Sequence, residues 1–315
     1  MGRFIPKFGP KSKLPDSQVL YEGNLGIVHR TGGLVQLAAY RNWNRSLAAL
    51  CRQHGITSLD IHLSAGRTSL DFLEELPTLR QLVIHLPLQP KPLDWRPLER
   101  LPHLENLAIN SSGKGQRLSS PGEPDVTAIK SLITCRFSPW EPEWSSVLRC
   151  RNLRGLYLLW ENFGLKDLDL CALDKLTELE LGGMTKLEAI TLSSRARLKS
   201  LQLRSCKKLR IDWSRFGRDL EYLWIEGKPA YGYDELRHAP QLKGLMLGYA
   251  RRIQSAEFLR HLPRLEWFNL FLADFTEAGC QLIRSLKHLR VAGMKMPGSS
   301  QRSQGLFEAN GWWPG

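Results

Sequence analysis

The stretch Leu198-Lys199-Ser200-Leu201-Gln202-Leu203-Arg204-Ser205-Cys206-Lys207-Lys208-Leu209 decides how the rest of the chain is read. Its apolar residues fall as L-x-x-L-x-L, followed by a small polar residue and a further leucine. A period-2 segment of this kind turns Leu201 and Leu203 inward from a short strand and Ser200, Gln202 and Arg204 outward. One such coil cannot bury its own leucines. Copies stacked side by side share one core, and stability then becomes nearly a sum over neighbours.

Copies are present along most of the chain. Downstream lie Leu220/Leu223/Ile225, Leu242/Leu245/Leu247, Leu265/Phe268/Leu270 and Leu286/Leu289/Val291. Upstream lie Leu176/Leu179/Leu181, Leu153/Leu156/Leu158, Ile129/Leu132/Thr134, Leu104/Leu107/Ile109, Leu79/Leu82/Ile84, Ile56/Leu59/Ile61 and a degenerate Leu34/Leu37/Ala39. Successive starts are 21 to 25 residues apart, a period that marks a repeat architecture. From about residue 34 to residue 295 the sequence resembles the leucine-rich repeat family, of the cytoplasmic type without an appended catalytic domain. Cys206 and Asn42 fill that family's N/C slot, whereas Met184, Lys228 and Ala250 replace it elsewhere. The resemblance implies an α/β fold: a right-handed horseshoe solenoid of about twelve repeats with a parallel concave sheet. It also implies a macromolecular recognition scaffold with no chemistry of its own.

Two details refine the coils. Half-period triplets at Leu165/Leu168/Leu170, Leu187/Ile190/Leu192 and Leu209/Ile211 predict extended segments on the back face. Elsewhere LEELPTL, LERLPHL, LRHAPQL and LRHLPRL predict a short helical turn that stops before proline. Asn44 to His54 reads as a helix closed by Gly55, and Asp274 to Leu286 as a second helix capped by Thr276 or Asp274.

At 315 residues, length alone suggests two domains of about 150 residues. The repeats predict instead one solenoid over 34–295, between an irregular N-terminal cap at 1–33 and a C-terminal tail or cap at 296–315, where Trp312 and Trp313 cover the last coil. No apolar run reaches the ~18 residues of a membrane span, and no apolar region follows the basic start. The six scattered cysteines form no C-x-x-C pair. A cytoplasmic protein with reduced thiols is expected.

The chain carries 44 Lys+Arg against 31 Asp+Glu, a formal +13, which favours acidic partners. The outward columns differ. Their formal charges are Asp60, Glu178, Glu180 and Glu226 against Arg204 and Arg290, near −2, so the basic excess lies on the flanks and N-terminal region. Large amphipathic side chains collect on the outward face instead. Tyr157, Tyr222, Trp224, Trp267 and Phe271 occupy it with Met246 and Asn269, and Trp160 and Tyr249 lie one position further on. Glu178, Glu180, Gln202, Arg204 and Glu226 border them. Aromatics and arginine are the usual anchors of protein interfaces, so these fourteen residues form the expected partner-binding site.

Other chemistry finds little footing. His62 and His85 share a column near Asp60, but without a spacing motif such as H-E-x-x-H they read as polar sheet surface. Glu178 and Glu180 face one way and read as an acidic patch rather than a catalytic pair. No metal, cofactor or catalytic residue is expected. The leading expectation is a non-enzymatic scaffold that binds a protein on its concave face, an inhibitor such as a bacterial toxin-neutralising immunity protein. The alternative is a nucleic-acid-binding protein that uses the basic flanks and N-terminal region.

Overall fold

The computed structural model describes residues 18–21, 27–31, 34–39, 43–87, 93–111, 125–138, 142–159, 164–227, 232–249, 253, 255–271, 276–286 and 289–292. The terminal tryptophans Trp312 and Trp313 lie outside them. The chain divides into two compact units, Met1–Leu153 and Arg154–Gly315.

In the first unit, β1 (Gln18–Tyr21) and β2 (Ile27–Thr31) run antiparallel, and β2 pairs antiparallel with β3 (Leu34–Ala39). The segment expected to be irregular therefore contains two paired strands. A parallel sheet leaves an open edge of backbone donors and acceptors beside β3, and an antiparallel neighbour satisfies them. From β3 the sheet continues in parallel through β4 (Ser58–His62), β5 (Gln81–Leu86), β6 (Asn106–Ser111) and β7 (Thr134–Ser138). Helix α1 (Arg45–His54) joins β3 to β4. The Asn44 side chain accepts the Leu47 N–H at 2.9 Å, and Gly55 closes the helix at φ +60°. The expected ends are thus the observed ones.

The second unit repeats the same coil. Its main sheet runs β8 (Gly155–Leu159), β10 (Glu178–Gly182), β12 (Ser200–Arg204), β13 (Tyr222–Glu226), β14 (Gly244–Gly248), β15 (Trp267–Phe271) and β16 (Arg290–Ala292), all parallel. Between them, β9 (Asp167–Leu170) and β11 (Ala189–Leu192) form the expected back-face pair. Leu209/Ile211 forms no strand. Asp212 there accepts the Ser214 N–H and opens a short helix, α2 (Trp213–Phe216). The last helix, α3 (Glu277–Ser285), is capped by Thr276.

Register makes the core. Leu156, Leu179, Leu201, Leu223, Leu245 and Phe268 stack in one row, and Leu158, Leu181, Leu203, Ile225, Leu247 and Leu270 in a second; all are buried. Full burial of one such side chain contributes about 1.5–3 kcal/mol, so the row stabilises in proportion to its length. On the back, 3-10 turns at Asp71–Glu75, Arg96–Arg100, Tyr233–His238 and Glu257–His261 each stop two residues before proline, as the sequence predicts.

Two registers depart from expectation. Asn106 pairs with Thr134, Leu107 with Cys135 and Ile109 with Phe137. The fifth triplet is therefore Leu132/Cys135/Phe137, not Ile129/Leu132/Thr134, and its outward residues are Thr134, Arg136 and Ser138, not Ser131, Ile133 and Cys135. Ile129 belongs to the preceding turn, where its carbonyl accepts the Leu132 N–H at 3.1 Å. Leu76 and Leu101 serve Leu79 and Leu104 in the same way. In the last copy Leu286 is that turn residue. Arg290 pairs with Trp267, one outward column earlier than expected.

Among the six cysteines, five are buried and Cys171 is exposed. Burial pushes the Cys51 thiol up to about 12 and those of Cys150 and Cys206 to about 11, and raises Cys135 well above its usual range. Thiolate attack needs both ionisation and access. Native chain treated briefly with iodoacetamide at mildly alkaline pH is therefore expected to carry its first modification on Cys171, as read by peptide mass spectrometry. Equally fast labelling of Cys135 would contradict the register just described.

Candidate functional site

The outward face of the second unit is built by the same pairing that builds its core. Parallel register lines up Tyr157, Glu180, Gln202, Trp224, Met246 and Asn269 in one column, strand to strand. A second column reads Gly155, Glu178, Ser200, Tyr222, Gly244 and Trp267; a third reads Leu159, Gly182, Arg204, Glu226, Gly248 and Phe271.

Large side chains lie beside the small ones. A Cβ on Gly244 would sit 2.9 Å from the Tyr222 ring, and one on Gly182 would sit 2.8 Å from Leu159 Cδ2. The two glycines leave room for their neighbours to lie across the sheet. Tyr157 Oη donates to Glu178 Oε2 at 2.6 Å. Arg204 reaches diagonally to Glu180 at 2.9 Å and stacks over the Trp224 ring at 4.7 Å. Glu180 is only 3% exposed, so its charge is met from within the face. Arginine on an indole face with a carboxylate partner is a rigid arrangement, because the planar guanidinium serves both at once.

The rings stay at the surface. Trp267 is 41% exposed and Tyr249 56%, while Tyr157, Tyr222, Trp224 and Met246 are half-buried. Neither indole has sunk beneath the sheet. Among the described residues nothing hydrogen-bonds the buried Asn269 Oδ1, an acceptor whose satisfaction is worth about 1–3 kcal/mol.

Just past four successive strands, β10, β12, β13 and β14, the backbone makes one left-handed residue. Gly183 (φ +76°), Ser205 (+56°), Gly227 (+94°) and Tyr249 (+51°) hold the same place in successive repeats. Glycine is at ease there, whereas a residue with a Cβ is strained by about 1–2 kcal/mol. Tyr249 thus places a bulky, exposed ring where the backbone favours none.

Eleven of the fourteen expected residues share this face, and Tyr249 stands at its end. Phe271 holds its register opposite Gly248, with its side chain outside the described residues, where Trp160 also lies. Glu180 and Asn269 form the floor rather than the exposed surface. Sequence reading missed the row just before each strand. There Glu221 accepts Lys243 at 2.8 Å and lies 3.4 Å from Lys199, and these lysines hold its carboxyl below the usual range. In the first unit Arg80 meets Glu105 at 2.6 Å. These cations lie at strand entrances already neutralised by carboxylates. Position 2 of each triplet alternates Lys199, Glu221, Lys243, Glu266, the signal that was there to be read. With the corrected register the second unit's face carries Glu178, Glu180 and Glu226 against Arg204, with Arg290 at an outward register position, and the first unit's carries Asp60 against Arg136. Neither unit's face is basic.

On the back, a depression of about 120 Å³ is bordered by Ser193, Arg197, Ser214, Arg215 and Asp219. Small-molecule sites usually begin near 300 Å³. In the first unit, His62 lies opposite His85 with rings stacked at 4.2 Å, and Asp60 lies beside them. Burial and the neighbouring His85 lower the His62 pKa, with Asp60 acting the other way.

Solved structures share this architecture. The protein in a TLR13–ssRNA13 complex matches over 76% of this chain with TM-score 0.50 and 17% identity; the chain spans 36% of that protein. The chain has the leucine-rich-repeat fold. An internalin (inlF) of Listeria monocytogenes is similar over 85% of this chain and 88% of its own, at 15% identity and TM-score 0.49. A leucine-rich-repeat protein of Leptospira interrogans is similar over 78% and 74%, at 14% identity and TM-score 0.37. At such identities the likeness concerns the leucine-rich-repeat fold alone. No family model and no curated protein matches the sequence. No described helix is long and apolar enough to cross a membrane.

Proposed function

We propose that this leucine-rich-repeat chain is a non-enzymatic scaffold that binds a folded protein on the outward face of its second unit. The observation that carries the reading is Tyr249, a half-exposed aromatic held in a left-handed conformation that glycine fills in two sister repeats. Backbone strain kept at an exposed ring points to a role outside folding. Trp267, Tyr222, Trp224 and Met246 supply apolar anchors around it, and Glu178 and Glu226 offer carboxylates to a partner's lysines or arginines. The finer reading is inhibition by occlusion in the cytoplasm, as by a toxin-neutralising immunity protein: a broad face suits covering an enzyme better than holding a small molecule. Nucleic acid is the less favoured partner, because the strand-entrance lysines are already paired.

The chain, immobilised, is exposed to extract of its source cells beside three variants: Trp267→Ala, Tyr249→Gly and the back-face control Arg197→Ala. One stoichiometric protein is expected, retained by the control, reduced at least about tenfold by Trp267→Ala, and inhibited in its own activity by the chain. Tyr249→Gly is expected to weaken capture while leaving the thermal midpoint equal or higher. Recovery of nucleic acid instead, with steep salt dependence and no sensitivity to Trp267→Ala, would overturn the reading.

A further inference from the structure

Sequence spacing gives no reason for a metal site, but strand register brings three donors of the right kind together. Asp60 and His62 are two residues apart on β4 and so share one face. His85 lies directly opposite His62 on β5. His85 Nε2 is 3.0 Å from Asp60 Oδ1, and the two imidazoles stack at 4.2 Å with 7° between their planes. One donor atom from each of the three residues lies within 4.8 Å of the others. The next residue in the same column is Asn110 on β6.

We propose that Asp60, His62 and His85 bind a zinc-class divalent cation on the outward face of the first unit. Tetrahedral zinc with bonds of about 2.0–2.1 Å sets its ligand atoms about 3.3 Å apart. The Asp60–His85 pair already has that spacing, with a proton where the metal would sit. The stacked rings need only tilt about their Cβ–Cγ bonds until the nitrogens converge; the strands stay where hydrogen bonding holds them. Two imidazoles and one carboxylate form a borderline donor set that selects zinc, and with it nickel or copper, over calcium and magnesium. His62 is exposed, which leaves an entry path and a fourth coordination position on the solvent side, for water or for a donor brought by another molecule. No group in the proposal changes oxidation state.

The experiment uses the full chain without a polyhistidine tag, stripped with chelator and titrated calorimetrically with zinc. One ion per chain is expected, in the micromolar range, with a raised thermal midpoint. His62→Gln and His85→Gln are each expected to weaken binding at least about tenfold, while the exposed-turn variant His103→Gln leaves it unchanged. Cobalt substitution gives an independent readout: the intense visible bands of tetrahedral cobalt are expected in the parent and His103→Gln and lost in the other two. Circular dichroism confirms that each variant is folded, so a lost signal reports the site. Absence of zinc binding, binding unchanged by His62→Gln and His85→Gln, or the weak spectrum of octahedral cobalt would each overturn the proposal.

Discussion

Cys135→Lys is expected to unfold the first unit, while Ile133→Lys leaves it folded. The two positions are neighbours on one strand approach, and the contrast follows from register alone. Cys135 pairs with Leu107 and is fully buried between the rows of β6 and the back-face turns. An ammonium there has neither water nor a carboxylate, and the cost exceeds ~5 kcal/mol, a large share of what a domain has to lose. Ile133 is half-exposed at the strand entrance, in the row that holds Arg80 and Glu105 in the two preceding repeats. A lysine there joins an existing ladder of opposite charges, with Glu105 in the adjacent repeat. Urea denaturation followed by circular dichroism checks both. If Cys135→Lys stays folded as Ile133→Lys does, the fifth repeat has the register first read from sequence, in which both residues face outward.

That misreading shows where the sequence was legible. Periodicity identified the strands and the shared core because a buried row tolerates little besides leucine, isoleucine and phenylalanine. It erred at Ile129 and at Leu286 because many coils place a second apolar residue three positions before the triplet, as at Leu76, Leu101, Leu173 and Leu262, to close the turn on the back. Where the triplet itself uses cysteine, as at Cys135, the turn residue imitates its first member. The face was legible in the same measure. Alternation put Tyr157, Trp224 and Trp267 outside, but it was silent on how they lie, since that depends on neighbours one strand away. Gly244 makes room for Tyr222, and Arg204 needs both Glu180 and Trp224. The strain at Tyr249 was equally invisible, because only the backbone angle reveals that its repeat lacks the glycine found at Gly183 and Gly227. Asp60, His62 and His85 were seen to lie together but were read as polar sheet surface, for a related reason. Metal motifs recognised in sequence rest on fixed local spacing, whereas this cluster is assembled across two strands.

Gly217→Ala is expected to destabilise the second unit by about 3 kcal/mol, more than any conformational preference of the residue explains. Gly217 follows α2 with φ −76° and ψ −23°, angles open to every L-residue. What excludes a side chain is space. A Cβ there would sit 2.5 Å from the His238 carbonyl oxygen and 2.8 Å from that of Trp213. Neither is the movable end of a side chain. His238 ends the 3-10 turn of the following repeat, so the added methyl must push one coil away from the next. Neighbour contacts are what a repeat fold is made of, so the damage reaches beyond the residue itself. Two companion substitutions separate the causes. Gly227→Ala meets nothing within 4 Å but sits at φ +94°, so it carries backbone strain alone, about 1–2 kcal/mol. Gly66→Ala meets neither obstacle and is expected to be neutral or slightly stabilising, because it only reduces the freedom of the unfolded chain. Urea midpoints are therefore expected to fall in the order Gly66→Ala, Gly227→Ala, Gly217→Ala. A Gly217→Ala variant as stable as Gly66→Ala would mean that the turn ending at His238 does not press on α2, and that these two coils are held together by their leucine rows alone.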